Sequence, residues 1–368
     1  MPLPLRVAIQ QRVLPAYRAP LFDLLAAHCT GGLFVFAGKP LPQESIATTE
    51  VLQTAHLTVA QNRNVRDPSS GMYLCWQDGL LTFLRTTNPD TLVLEANPRY
   101  LSNWLALRWM RTRHKPVLGW GLGAPRAARP PMGTLWRVFL RQFDGLLAYS
   151  RRGAAEYRAL GIPAERVFAV GNAAAPRPKA SLPSRPPDFA GQPRLLFVGR
   201  LQARKRLDLL FSACAALPIN LQPALTIVGD GPARAGFERA AQQTYPQARF
   251  TGDLRGAPLE AEFRAADLFV LPGTGGLAVQ QALSFGLPVI VAQGDGSQDD
   301  LVRPENGWQI PPNDLAALQA ALTQALRDPV RLRQMGAESY RVAVEEANLE
   351  AVAANFAGAL AAIGEGQR

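Results

Sequence analysis

Lys205 follows Arg200 by five residues in the stretch RLLFVGRLQARKRLDLL, and both come after a short apolar run that reads as a strand. A guanidinium offers a planar fork and an ammonium a compact charge, a combination suited to neutralising a diphosphate leaving group. From spacing alone the pair is equally a solvated basic turn. Further along, LTIVGDGPARAGFE places Gly229, Asp230, Gly231 and Pro232 between a strand and a helix, either a tight turn or a close approach to a ligand. A third stretch, LPGTGGLAVQQALSFGLPVI, sets the loop Gly273-Thr274-Gly275-Gly276 before a helix expected from Leu277 to about Phe285. Glycines let main chain approach a ligand, and a helix start presents N–H groups with a partial positive charge. Such a loop can cradle phosphate without any carboxylate, although a bare glycine loop also serves as a packing turn.

Elements at strand ends must position these residues. Short β-type runs alternate with helical patterns throughout, which argues for α/β architecture with doubly wound parallel sheets. In the first half the strands read as Arg6–Gln10, Leu33–Phe36, Leu57–Ala60, Thr91–Glu95, Val117–Trp120 and Gly145–Ala148, with helices such as Tyr17–His28 and Leu101–Arg113. From Ala173 to Pro193 six prolines in 21 residues deny the chain helix and ladder bonds. The second half restarts with RLLFVGR and alternates again. The expected division is a Rossmann-like domain over 1–175, a linker over 176–193, a second Rossmann-like domain over 194–347 and a C-terminal helix over 348–368 packing back toward the first domain. Ligands are expected in a cleft between the carboxyl ends of the two sheets.

The series VGRL with Lys205, IVGDGP, FTG, and AADLFVLPG with ALSFGLPVI, in this order, resembles the family 4 retaining glycosyltransferases of GT-B fold. The likeness runs from Leu195 to about Val344, and the Pro-Gly-x-x-Gly-Leu form of the loop is similar to a branch acting in polysaccharide and lipopolysaccharide synthesis. It implies two Rossmann-like domains facing across a cleft, a nucleoside diphosphate sugar as donor, a glycan or lipid-linked acceptor, retention of configuration and no metal or other cofactor. It implies that Arg200 and Lys205 hold the donor diphosphate. The loop Thr274, Gly275, Gly276 and Leu277 would add backbone amides, with Gly199 and Gly229 lining the same site. The family carries two glutamates where this chain has Gly273 and Gln281. Gln281 can still exchange hydrogen bonds with ribose hydroxyls. Sugar recognition must move, and Asp295, Gln298, Asp299 and Asp300 are candidates beside the reading that they form a solvated acidic loop.

In the first domain Arg18, beside Tyr17, stands where it can meet donor phosphate or acceptor. Glu95, at a strand end, is the candidate side chain for the acceptor, with a purely structural role as the equal alternative. Leu122 occupies the place of a histidine found in relatives, so a base from that position is absent. In the implied mechanism the departing phosphate oxygen takes the acceptor proton. A nucleotide-sugar epimerase and a catalytically inactive partner subunit are the alternatives, but epimerase chemistry wants ionisable groups around the sugar that are few here.

Charge and composition bound the remaining classes. Residues 1–180 carry 22 Lys+Arg against 10 Asp+Glu, a net of +12, and residues 181–368 carry 17 against 19, a net of −2. A cationic first half attracts polyanions. No aromatic single-strand platform or known helix motif accompanies it, which argues against nucleic acid. The segments LSNWLALRWMRTRHK and GTLWRVFLRQF set Arg108, Arg111 and Lys115, and Arg137 and Arg141, beside tryptophans, and an anionic membrane surface is a candidate partner. Helices packed on their own sheet with basic outer faces are the equal alternative. Cys29, Cys75 and Cys214 and the three histidines are scattered, so neither a disulfide framework nor a metal site is expected. The opening MPLPLRVAIQ lacks the apolar core of a secretory signal, and the expected place is the cytoplasm, with the inner membrane face as a peripheral location.

Overall fold

A computed structural model describes residues 2–44, 46–66, 73–124, 132–275, 277–294 and 296–365. Two compact units divide the chain, one of Met1–Ala174 with Leu349–Arg368 and one of Ala175–Asn348.

In the first unit the order is β1 (Val7–Val13), α1 (Ala19–Ala26), β2 (Leu33–Gly38), β3 (His56–Val65), β4 (Leu74–Asp78), α2 (Leu80–Thr87), β5 (Thr91–Glu95), α3 (Leu101–Arg111), β6 (Val117–Gly121), α4 (Met132–Leu140), β7 (Gly145–Ala148), α5 (Arg151–Ala159) and β8 (Val167–Ala169). Among the described residues eight strands form one sheet in the order β4-β3-β2-β1-β5-β6-β7-β8. All neighbours run parallel except β3 and β4. Runs such as TLVLE at β5 are buried nearly throughout, as parallel strands covered on both faces must be. One face is packed by α2 to α5 through Leu84, Leu107, Phe139 and Tyr157. The other is packed by α1 through Phe22 and by the C-terminal helix through Phe356.

The second unit runs β9 (Arg194–Val198), α6 (Leu207–Ala215), β10 (Ala224–Val228), α7 (Arg234–Thr244), β11 (Arg249–Gly252), α8 (Ala257–Ala265), β12 (Leu268–Leu271), α9 (Leu277–Ser284), β13 (Val289–Ala292), α10 (Ser297–Leu301), β14 (Gly307–Ile310), α11 (Leu315–Arg327) and α12 (Pro329–Glu345). Its sheet has the order β11-β10-β9-β12-β13-β14, with every pair parallel. The last helix, α13 (Leu349–Glu365), belongs to the first unit, where Phe356 meets Trp120 edge-on at 5.2 Å. In both sheets the chain builds outward on one side of its first strand and then returns to the other. The strand order therefore reverses between β1 and β5 and again between β9 and β12.

Three differences from the sequence reading have physical reasons. The proline-rich stretch expected as a linker belongs to the second unit instead. Arg185 within it donates to the carbonyls of Phe263, Ala266 and Gly286, at the ends of α8 and α9, where a cation meets the negative ends of the helices. The helix expected from Tyr17 starts as a 3-10 turn, Ala16–Arg18, and becomes α-helical at Ala19, with Pro20 in its first turn where a missing N–H costs nothing. Strands β4, β8 and β14 were not anticipated: β4 forms an antiparallel edge, and the other two are three and four residues long.

Candidate functional site

In a doubly wound sheet the carboxyl ends of the two strands at the order reversal splay their loops apart and leave room for a ligand. In the second unit those strands are β9 and β12, and the residues after them are the cations and glycines singled out above.

After β9 the chain passes Gly199 and the exposed Arg200, then makes a 3-10 turn, Ala203–Lys205, before α6. Lys205 is buried to 8 % exposure and its Nζ donates to the carbonyl of Thr274 at 2.6 Å. The Thr274 amide in turn donates to the Arg204 carbonyl at 3.2 Å, and the Arg204 guanidinium reaches Thr274 Oγ1 at 3.3 Å. The loop after β12 is thus fastened onto the turn after β9. Burial, with Arg204 alongside, pulls the Lys205 ammonium down to about 8.

This fastening accounts for Gly273. A Cβ there would lie 2.1 Å from the Arg204 carbonyl oxygen and 2.6 Å from Lys205 Cα, so no side chain fits, least of all a glutamate. From the far side Gln298, 1 % exposed on α10, donates Nε2 to the Gly275 carbonyl at 3.0 Å and leaves its Oε1 buried without a partner. The Thr274 amide and the Thr274 and Gly275 carbonyls are engaged within the fold, which leaves the N–H groups at the start of α9 for a ligand. Leu277 opens that helix and Gln281 stands half-buried one turn later.

Arg200 and Gly199 also line a depression of about 470 Å³ with Gly229, Asp230, Asp253 and Leu254, beyond the ends of β9, β10 and β11. Its wall is two crossed backbones. Gly229 has φ +132°, and a Cβ on it would sit 2.1 Å from the Gly199 carbonyl oxygen, while Leu201 N donates to the Asp230 carbonyl at 2.9 Å. The fold therefore brings Lys205, Thr274 and Gly275 together at one place and Gly199, Arg200 and Gly229 together beside β10. Gly276 and Asp295 lie outside the described residues. Asp299 and Asp300 stand half-buried in the first turn of α10.

The first unit has its own reversal, between β1 and β5, and Arg18 and Glu95 meet there. Arg18 is 7 % exposed, donates to Gln11 Oε1 and Tyr149 Oη at 2.9 Å each, and its guanidinium carbon lies 4.6 Å from the Trp120 ring centroid. Burial lowers its pKa, but the facing Tyr149 and Tyr17 outweigh this and the net shift is upward, so it stays charged. Burial pushes the Glu95 carboxyl up, opposed by Arg12, Arg18 and hydrogen bonds from the Arg12 amide and the Tyr100 hydroxyl. Around them Gln10, Gln77 and Asn103 are wholly or almost wholly buried, with Gln10 Oε1 accepting from Asn103 Nδ2 and from the Glu95 amide at 3.1 Å each. Arg12 pairs with Glu44 nearby. Sequence reading missed this network. Its available signal was the pair Gln10-Gln11 inside β1, directly after the apolar Val7, Ala8 and Ile9, where buried polar groups require partners. Leu122, 52 % exposed just past β6, has no chemistry to add.

Residues 182–342 match the model of the family described as glycosyl transferases group 1. A GDP-mannose-dependent alpha-mannosyltransferase of Mycolicibacterium smegmatis is 37% identical over 142 residues, 38% of this chain and 36% of that protein. A phosphatidyl-myo-inositol mannosyltransferase of Mycobacterium leprae is 32% identical over 171 residues, 43% of this chain and 46% of that protein. The chain spans less than half the length of these relatives. Over nearly the whole chain the fold is similar to sucrose-phosphate synthase of Thermosynechococcus elongatus, with a TM-score of 0.72 at 19% identity, covering 98% of this chain and 99% of that one. The architecture is the two-unit α/β fold called GT-B.

Proposed function

We propose that this chain is a glycosyltransferase that moves a sugar from a nucleoside diphosphate sugar to a glycan or lipid-linked acceptor with retention of configuration and without a metal. The observation that carries the reading is the junction of Lys205 with the Thr274–Gly275 loop at the start of α9, where the strand order reverses. A buried ammonium beside the main-chain N–H groups of a helix N-terminus suits an anionic phosphate group, and the diphosphate of a donor is the reading it supports. The family match over residues 182–342 supports the donor class, and the name of the phosphatidyl-myo-inositol mannosyltransferase supports a lipid-linked acceptor.

In this reading the bond between the sugar anomeric carbon and the β-phosphate oxygen breaks while the acceptor oxygen bonds the same carbon on the same face. The acceptor proton passes to the departing phosphate oxygen. Lys205, Arg200 and the α9 amides stabilise the charge that grows on that phosphate, as electrostatic groups held in place before reaction do most effectively. In the first unit Glu95 and Arg18 orient the acceptor, and Gln281 serves the ribose.

Calorimetric titration with UDP, GDP, dTDP and ADP tests the donor site. One nucleotide should bind selectively, and Lys205→Ala should weaken it about 10-fold to 100-fold, the worth of a charge-assisted contact to phosphate. Failure of the well-folded protein to bind any of them would sink the proposal and leave an inactive subunit.

A further inference from the structure

Much of the positive charge of the first unit falls in one stretch of its chain. From Ala96 to Phe143 the chain holds nine Lys or Arg and not one Asp or Glu. The described part of this stretch supplies α3 and α4. These helices lie side by side on the same face of the sheet: the Trp104 ring packs on Phe139 at 4.7 Å, and Arg111 donates to the Gln142 carbonyl at 2.7 Å. The opposite face carries α1 and α13, whose sequences contain Asp23, Glu350 and Glu365 and no Lys or Arg.

The same two helices present apolar side chains to solvent. Leu101 and Leu105 on α3, and Met132, Leu135 and Val138 on α4, are from 37% to 46% exposed, and they make up five of the fifteen large exposed hydrophobic residues among those described. Leu101 and Leu105 stand one turn apart and are followed by the exposed Arg108 on α3, while Met132, Leu135 and Val138 recur at three-residue steps on α4, which also carries the exposed Arg137. Trp104, Arg108, Arg111 and Gln142 border a depression of about 490 Å³.

We propose that this α3–α4 face docks the protein on an anionic phospholipid surface. Arginines alone would suit any polyanion, but a phosphodiester backbone leaves aliphatic stripes between the arginines wet. A lipid interface accepts both, with leucine, methionine and valine at the acyl boundary and guanidinium groups among the phosphates. The depression beside Arg108 and Arg111 offers a headgroup a place between two cations. No single helix among the described residues is long and apolar enough to cross a membrane. The inference does not depend on the donor chemistry.

Co-sedimentation of the full chain with phosphatidylcholine vesicles, with and without phosphatidylglycerol, tests it. The protein should partition only onto the anionic vesicles. Arg108→Glu with Arg137→Glu should lower partition about 25-fold, at roughly fivefold for each cation removed. Leu105→Gln with Leu135→Gln, which keeps the charge, should lower it about tenfold. All four residues are exposed, so the circular dichroism spectrum and nucleotide titration of both variants should match the parent. Equal partition onto both vesicle types, or variants that partition like the parent, would refute the proposal. Tight binding of duplex DNA or of an acidic protein without vesicle binding would refute it too, by naming another occupant.

Discussion

At the scale of single residues the decisive side chain is Lys205, because its burial makes it titrate within reach of experiment. Its ammonium is pulled from 10.5 to about 8 by desolvation and by Arg204. Between those values the unfolded chain holds a proton that the folded protein has released. The burial penalty is therefore present in full below about 8 and is relieved as pH rises toward 10.5. Diphosphate binding has the opposite sign, since it needs the charge. Affinity for the nucleotide should be level from neutral pH to about 8 and then fall, by up to about tenfold per pH unit, while Lys205→Ala should give a flat profile. Isothermal titration across pH 7 to 10, on the order of one point per half unit, checks this; parallel curves for the two proteins would remove Lys205 from the site.

At the scale of elements, the loop after β12 and the turn after β9 act as one piece, and Gly273 is where they touch. Gly273→Ala must push its new methyl away from the Arg204 carbonyl, and overpacking of this kind costs about 1–3 kcal/mol. The expected result is a melting temperature lower by several degrees with weakened nucleotide binding. Gly273→Glu, with its longer side chain, should be worse in both respects; a gain in activity on that substitution would contradict the packing account.

Much of this arrangement was legible in the sequence. The strand ends bearing Arg200, Lys205 and Thr274 follow from apolar runs that stop at glycine or proline, and local composition suffices for them. The reason for Gly273 was not legible, because it lies in a contact between segments nearly seventy residues apart. The same holds for Arg18. Its place among Gln11, Tyr149 and Trp120 depends on three strands meeting, and no local pattern marks it. Strand β4 escaped notice because its alternation runs against the usual pattern, with apolar Leu74 and Trp76 on the exposed face and Cys75 and the polar Gln77 buried.

At the scale of the whole chain, sequence order and structural unit part company at the C-terminus. The last helix follows directly on the second unit but is packed into the first, where Leu349, Phe356 and Leu360 join the core beneath Trp120. The core of the second unit draws on residues from Leu195 to Ala347 and none of α13. A chain ending at Asn348 should therefore keep its second unit intact and lose part of its first. Removing Phe356 alone takes away a side chain whose loss typically costs about 3–5 kcal/mol, and the whole helix contributes more. Calorimetric melting of the truncated chain should show one transition near its original temperature and another much lower or absent. Because Lys205, Thr274, Gly275 and Gln298 all lie between 175 and 348, nucleotide affinity should survive the truncation within about tenfold if the proposed donor site is self-sufficient. Loss of nucleotide binding by a truncated chain whose second unit still melts normally would refute the assignment of the donor site to that unit alone.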